Sequence, residues 1–248
     1  MTNPTDTNQA SEVLQGDCLE LMKDMPDGSV DMILADLPYG TTACKWDTII
    51  PFEPLWEQYK RIIKPNGAIV LTASQPFTSA LVMSNPKMFR YDLKWIKRAG
   101  TGFYNAKRMP LRAHEDILVF YKKLPSYNPQ KTEGKPYVQK RGSASDVYRG
   151  KDLSITISDG GRYPLSWIEL KRDKDKLHPT QKPVALFEYL IKTYTNEGDL
   201  VLDNVAGSGT TGVACQNLNR NFILMEQEPE YVEIIKKRLE LNKEQRNE

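Results

Sequence analysis

"LVLDNVAGSGTTGVACQNL", residues 200–218, reads as three pieces in a row: a short aliphatic run, a glycine-bearing turn and a helix. Gly207, Gly209 and Gly212 fit the spacing G-x-G-x-x-G, whose glycines let backbone amides come close to a ligand at the positive end of a helix. Alone, that spacing suits a dinucleotide, another nucleoside-bearing ligand or simply a tight turn. It does not suit a phosphate-cradling NTPase loop, because no Gly-Lys-Ser/Thr follows.

The same rhythm continues on either side. Short β-branched and aliphatic runs occur at 12–15, 30–35, 68–73, 91–96, 116–121, 199–203 and 221–225. Between them lie helical patterns. "PLWEQYKRII" opens on a proline and sets Leu55, Tyr59 and Ile62 on one side, "PVALFEYLIKTYT" repeats Val184, Phe187, Leu190, Ile191 and Tyr194, and the tail aligns Val232, Ile235 and Leu239. Alternation of this kind predicts an α/β fold, with a mixed, mostly parallel sheet and helices on both faces.

With 248 residues and 40% hydrophobic content, the chain can bury one sizeable core and carry an inserted lobe. Its opening, "MTNPTDTNQASE", has no signal-peptide pattern, and no apolar run reaches the length of about 18 residues that a membrane span needs. A cytoplasmic protein without membrane contact is expected. Cys18, Cys44 and Cys215 are far apart and only two histidines are present, which supports neither a disulfide framework nor a metal site.

Charge is unevenly spread. Roughly 21 basic and 10 acidic side chains fall within residues 85–177, while the remainder of the chain is net acidic. Inside this region, residues 122–177 lose the strand–helix rhythm and are rich in Gly, Ser, Pro and Lys. They read as a basic insert between two halves of one domain, 1–121 and 178–248. Its aromatics Tyr127, Tyr137, Tyr148, Tyr163 and Trp167 alternate with lysine and arginine, as suits a surface for a polyanion; a solvated linker is the plainer alternative.

Ligands of open parallel sheets bind beyond the carboxyl ends of the strands, so the residues at those ends matter most. Asp17 follows the first run, Asp36 the second and Glu226 the last, where an acid accepts hydrogen bonds from ribose hydroxyls, with Glu228 as a competitor. "ADLPYG", residues 35–40, adds a rigid proline and a tyrosine to its acid. An Asp-x-Pro-Tyr at a strand end suits chemistry on the exocyclic amino group of a base. Asp36 and a neighbouring carbonyl accept its two N–H groups, and Tyr39 stacks on the extruded ring.

"DLPY" resembles the catalytic D-P-P-Y of the DNA amino-methyltransferases, and "GSGTTG" with "HPTQKP" resembles their S-adenosylmethionine site. The order, catalytic motif first and glycine loop last, is similar to the permuted β group, and the likeness extends from Asp17 to the "PEYVEIIKKRL" helix. It implies a Rossmann-like methyltransferase fold, S-adenosylmethionine as cofactor, DNA as partner and a target-recognition role for 122–177. Asp36, Leu37, Pro38 and Tyr39 would be catalytic. The cofactor would be held by Asp17, Thr180, Lys182, Asp203, Ala206, Gly207, Ser208, Gly209, Thr210, Thr211 and Glu226. Among these, Gly207 and Gly209 would pass under its methionine end, Asp17 would meet its adenine amino group, and Thr180 and Lys182 would lie near its carboxylate.

Two positions depart from the family pattern. Leu37 replaces a proline, although the acceptor there is a backbone carbonyl and a residue before proline is held extended. Asn204 and Val205 replace the proline and aromatic of D-P-F-x-G-S-G, which bears on cofactor affinity. The expected reaction is methylation of adenine N6 in DNA, because the family's cytosine N4 members more often begin the tetrapeptide with serine. Cytosine N4 is the alternative. An NAD-dependent oxidoreductase or an inert DNA-binding module are rivals of other classes, and a homodimer is left open.

Overall fold

The structure is a computed structural model that describes residues 11–41, 47–140, 155–171, 173 and 181–247. Contacts divide the chain into a larger unit, Met1–Asn128 with Ser166–Glu248, and a smaller one, Pro129–Leu165.

The larger unit opens with β1 (Glu12–Gln15), α1 (Cys18–Lys23), β2 (Val30–Ala35), α2 (Phe52–Ile62), β3 (Ile63–Ala73) and α3 (Phe77–Ser84). Next come β4 (Phe89–Thr101) and β5 (Arg112–Phe120). The smaller unit holds two antiparallel pairs, β6 (Thr132–Glu133) with β9 (Gly161–Arg162), and β7 (Tyr137–Lys140) with β8 (Ile155–Ser158). The chain then returns through β10 (Trp167–Glu169), α4 (Val184–Tyr194), β11 (Leu200–Asp203), α5 (Thr210–Asn217), β12 (Asn221–Glu226) and α6 (Pro229–Asn247).

Eight strands form one sheet in the order β1-β12-β11-β2-β3-β5-β4-β10. All pairings are parallel except the two made by β5. Strand periodicity divides the core in two. Ile33, Ala35, Ile69, Leu71, Leu118, Phe120 and Leu202 face one way, against Met22, Leu55, Tyr59, Ile62 and Leu81 of α1, α2 and α3. Met32, Leu34, Val70, Ile117, Val119 and Val201 face the other way, against Leu186, Leu190, Val213, Ala214, Ile235 and Leu239 of α4, α5 and α6. Burial on both faces explains why the strands read as unbroken apolar runs.

The sheet's order reverses beside β11. From β2 the chain runs to β3, whereas from β11 it runs the other way to β12. The crevice between β2 and β11 is therefore a topological switch point, where parallel α/β sheets bind ligands. Val201 pairs with Met32 and Leu202 with Ile33, so the glycine turn and "DLPY" leave adjacent strands side by side.

The compact smaller unit is narrower than the 122–177 insert predicted from composition. Asn128 is tied to the larger unit by Nδ2 hydrogen bonds to the carbonyls of Lys192 and Thr195, and β10 joins the main sheet along β4. Within the smaller unit, Arg162 is stacked 4.6 Å from the Tyr137 ring centroid and donates to the Lys135 carbonyl. Among the described residues no helix is long and apolar enough to cross a membrane.

Candidate active site

The carboxyl ends of β1, β12, β11 and β2 open into one cavity of about 590 Å³, which Asp17, Asp36, Leu37, Pro38 and Tyr39 line together with Lys182, Asp203, Ala206, Gly207, Ser208, Thr210 and Glu226. A nucleoside-sized ligand fits such a volume.

Asp36, directly after β2, is held from three sides. Tyr39 donates its phenol hydrogen to Oδ1 at 2.7 Å, Thr72 of β3 donates its hydroxyl to the same oxygen, and Lys182 Nζ donates to Oδ2 at 2.5 Å. The Tyr39 ring is stacked on Phe77, with centroids 5.1 Å apart. Burial, with the nearby Asp36 and Glu115 carboxylates, raises the Tyr39 phenol well above its ordinary value, so it stays a donor. The Leu37 side chain is buried in the core and anchors the tetrapeptide there. Asp47 then closes the loop by accepting the amides of Gly40 and Thr41.

Lys182 lines the cavity and is paired with carboxylates of the chain itself. Its side chain is 6% exposed, and its ammonium also meets Glu115 Oε2 at 3.2 Å, while Glu115 is paired with Lys97. Burial alone would lower Lys182, but the two carboxylates outweigh it and hold it above the usual lysine value. Asp36, Lys182, Glu115 and Lys97 thus form a chain of alternating charge whose formal sum is zero. A buried charge without such a partner is strongly destabilising.

The glycine turn is shaped by its neighbours. Gly207 and Gly209 have φ of 53° and 77°, a region that favours glycine. Glu226 Oε2 accepts the Gly207 amide at 2.8 Å, and Arg238 of α6 donates to the Ser208 carbonyl and to Thr210 Oγ1. Asp203 accepts the Val205 amide and the Thr211 hydroxyl, and burial pushes its carboxyl up to about 7. Burial likewise raises Glu226.

Two loop residues expected at the cofactor do not line the cavity. A Cβ on Gly209 would meet Ile235 of α6 at 3.1 Å, and Thr211 is fully buried against Asp203. Their part is to shape the turn. Gly212 acts similarly, since its Cβ would come within 2.7 Å of Leu224 and 2.9 Å of Leu239. Thr180 lies outside the described residues, as do His178, Cys44 and Tyr148. Asp17 lines the cavity and caps α1, its Oδ1 accepting the Leu19 amide at 2.8 Å.

Sequence reasoning missed Thr72, Phe77, Glu115, Lys97 and Arg238. Thr72 was visible as the one polar residue in "AIVLTA". Glu115 and Lys97 border apolar runs, where charge ordinarily signals a strand end in solvent.

An open mixed sheet with a glycine turn and acid-tipped strands around one switch-point cavity defines a Rossmann-like domain for a nucleoside-bearing cofactor. Comparison with known proteins narrows this. Residues 30–237 match the N6/N4 DNA methylase family model. The chain is 30% identical to the Type II methyltransferase M.HpaI of Haemophilus parainfluenzae, over 90% of this chain and 72% of that one. It is 29% identical to the Type II methyltransferase M2.DpnII of Streptococcus pneumoniae, over 98% and 95%. The crystal structure of an M1.HpyAVI–SAM complex superposes with a TM-score of 0.65 at 30% identity, covering 92% of this chain and 99% of that one.

The chain belongs to the N6/N4 DNA methylase family, as an S-adenosylmethionine-dependent DNA methyltransferase. The oxidoreductase and inert-module readings fall with that assignment.

Proposed function

We propose that the chain methylates N6 of adenine at a specific site in DNA. The observation that carries this is the opening of Asp36–Tyr39 and the glycine turn into the same cavity. A base presented to Asp36 thereby comes within reach of whatever the turn holds.

The geometry supports the following division of roles. Glu226 and Asp17 are placed to accept hydrogen bonds from the hydroxyls and amino group of a nucleoside, and the Gly207–Thr210 turn lets backbone approach the rest of it. When bound, S-adenosylmethionine supplies an electrophilic methyl group. Asp36 and the Leu37 carbonyl accept the two amino hydrogens of the base, which draws the nitrogen lone pair out of conjugation and leaves it nucleophilic. Lys182 balances the Asp36 charge, so Asp36 accepts hydrogen bonds and does not need to remove a proton beforehand. The nitrogen becomes acidic as it is alkylated, and its proton leaves to Asp36 or water. Tyr39, braced by Phe77, offers its ring to the extruded base.

The basic stretch 85–177, with its target-recognition region at 122–177, binds the duplex and selects the sequence. Its excess of lysine and arginine supports this, and DNA affinity should fall steeply between low and moderate salt as counterions are released. Adenine is preferred over cytosine because the tetrapeptide begins with aspartate. The test is transfer of a labelled methyl group to plasmid DNA, followed by nucleoside digestion. N6-methyl-2′-deoxyadenosine is the expected product, and N4-methyl-2′-deoxycytidine would replace the reading.

A further inference from the structure

β4 and β5 pair as far as Thr101 with Arg112, and the tip between them, residues 102–111, is unusual in what it shows to water. Phe103 is 82% exposed, Tyr104 completely so, and Met109 and Leu111 are also exposed. A cluster of large apolar side chains on a short exposed tip marks an interaction site. The tip has a defined turn. Gly102 takes a left-handed φ of 88°, and the Asn105 and Ala106 amides donate to the Gly102 and Phe103 carbonyls, each at 2.9 Å.

Strand direction places this tip at the edge of the sheet that carries the active site. β5 runs antiparallel to β3, so Arg112 lies at the end of the sheet where β3 finishes. Arg112 donates to Ser74 Oγ at 3.1 Å, and two residues back along the same chain Thr72 donates to Asp36. Thr72 pairs with Ile117, five residues from Arg112, so at about 3.3 Å per residue the root of the tip lies roughly 17 Å along the strand from the residue that holds Asp36, and the long Arg112 side chain reaches back to Ser74. Lys107, Arg108 and Arg112 follow the aromatics in the chain and Arg98, paired with Glu169, precedes them, and residues 98–112 contain no acid. Apolar tip and cationic flanks together match a nucleic-acid duplex, with stacked bases inside and phosphates outside.

We propose that the 102–111 tip is a wedge that enters the duplex where the target base leaves it. Phe103 and Tyr104 fill the vacated space and stack on the neighbouring bases, while Lys107 and Arg108 hold the flanking phosphates. Extrusion of a base breaks its pairing and stacking, and an inserted aromatic restores part of the stacking. The inference rests on methyl transfer to a base in DNA and holds for either target base.

The test first maps the methylated base on plasmid DNA with the wild-type enzyme. Failure at that step would refute the DNA reading itself and is thus distinguishable. Turnover of wild type and of the double variant Phe103→Ala/Tyr104→Ala is then measured on two duplexes carrying the mapped site, one fully paired and one with an abasic position opposite the target. Both side chains are exposed, so folding is preserved, and cofactor binding by calorimetry checks this. The expected result is a loss of roughly tenfold or more on paired DNA, recovery to within about threefold of wild type on the abasic duplex, and near-wild-type turnover by Tyr104→Phe on both. Equal losses on the two duplexes, or no loss on paired DNA, would overturn the proposal. So would a fall in sedimentation mass caused by the substitutions, which would assign the tip to a contact between copies of the chain.

Discussion

Lys182 Nζ lies 2.5 Å from Asp36 Oδ2 although the two residues are 146 positions apart. One directly follows β2 and the other lies two residues before α4. Their pairing ties the two halves of the motif order into a single site.

The pair depends on a third residue. Glu115→Gln removes one of the two carboxylates on Lys182 and the carboxylate paired with Lys97, with side chains 4–14% exposed. A loss of about 3 kcal/mol in urea unfolding is expected, and Lys97→Met in the same background should recover part of it in a double-mutant cycle.

The Lys182 and Lys97 charges also set an acid limit. Burial by itself would raise Glu115, but both lysines hold it below its ordinary value. Its contribution is therefore present above the usual carboxylate range and is lost as pH falls through the lowered native value. Thermal unfolding scans should show a stability decline below about pH 4.5 that is shallower in Glu115→Gln.

Asp203 works in the opposite direction. Its native value of about 7 lies above the unfolded one, so the protonated fold is favoured: its own contribution is greatest below about pH 4 and is lost as pH rises through 7. Asp203→Asn should flatten that slope, worth a few kcal/mol across the window, in denaturant titrations of the cofactor-free protein.

At Gly209 the substitution cost arises from packing. Gly209→Ala combines a left-handed φ with a Cβ 3.1 Å from Ile235. A loss of about 1–2 kcal/mol is expected. Trimming the neighbour as well, in Gly209→Ala/Ile235→Ala, removes the Cγ1 and Cγ2 atoms that the new Cβ would meet and should relieve the contact but not the backbone strain, so the coupling measured by the cycle reports the contact alone.

Where burial follows a simple period, the sequence already gave away the architecture. β1 and β2 occupy the predicted 12–15 and 30–35, and Leu55, Tyr59 and Ile62 are all buried on α2. The antiparallel course of β5 was not legible, because an apolar run such as "DILVFY" carries no direction. α1 was hidden by its six-residue length, and α3 by an apolar composition without a clear polar face. Within the site, strand ends identified Asp17, Asp36 and Glu226, since topology alone brings those ends together. The Asp36–Lys182–Glu115–Lys97 chain joins residues from distant elements, and no local spacing encodes it.

The central claim is that Asp36 acts on the base while other residues hold the cofactor, and Asp36→Asn tests it most directly. The amide keeps the shape of the site but removes the charge that accepts the amino hydrogens. Methyl transfer to plasmid DNA should fall by about 10²–10³-fold, while cofactor affinity measured by calorimetry stays within about threefold of wild type. Undiminished transfer, or cofactor affinity lost in step with transfer, would contradict the account.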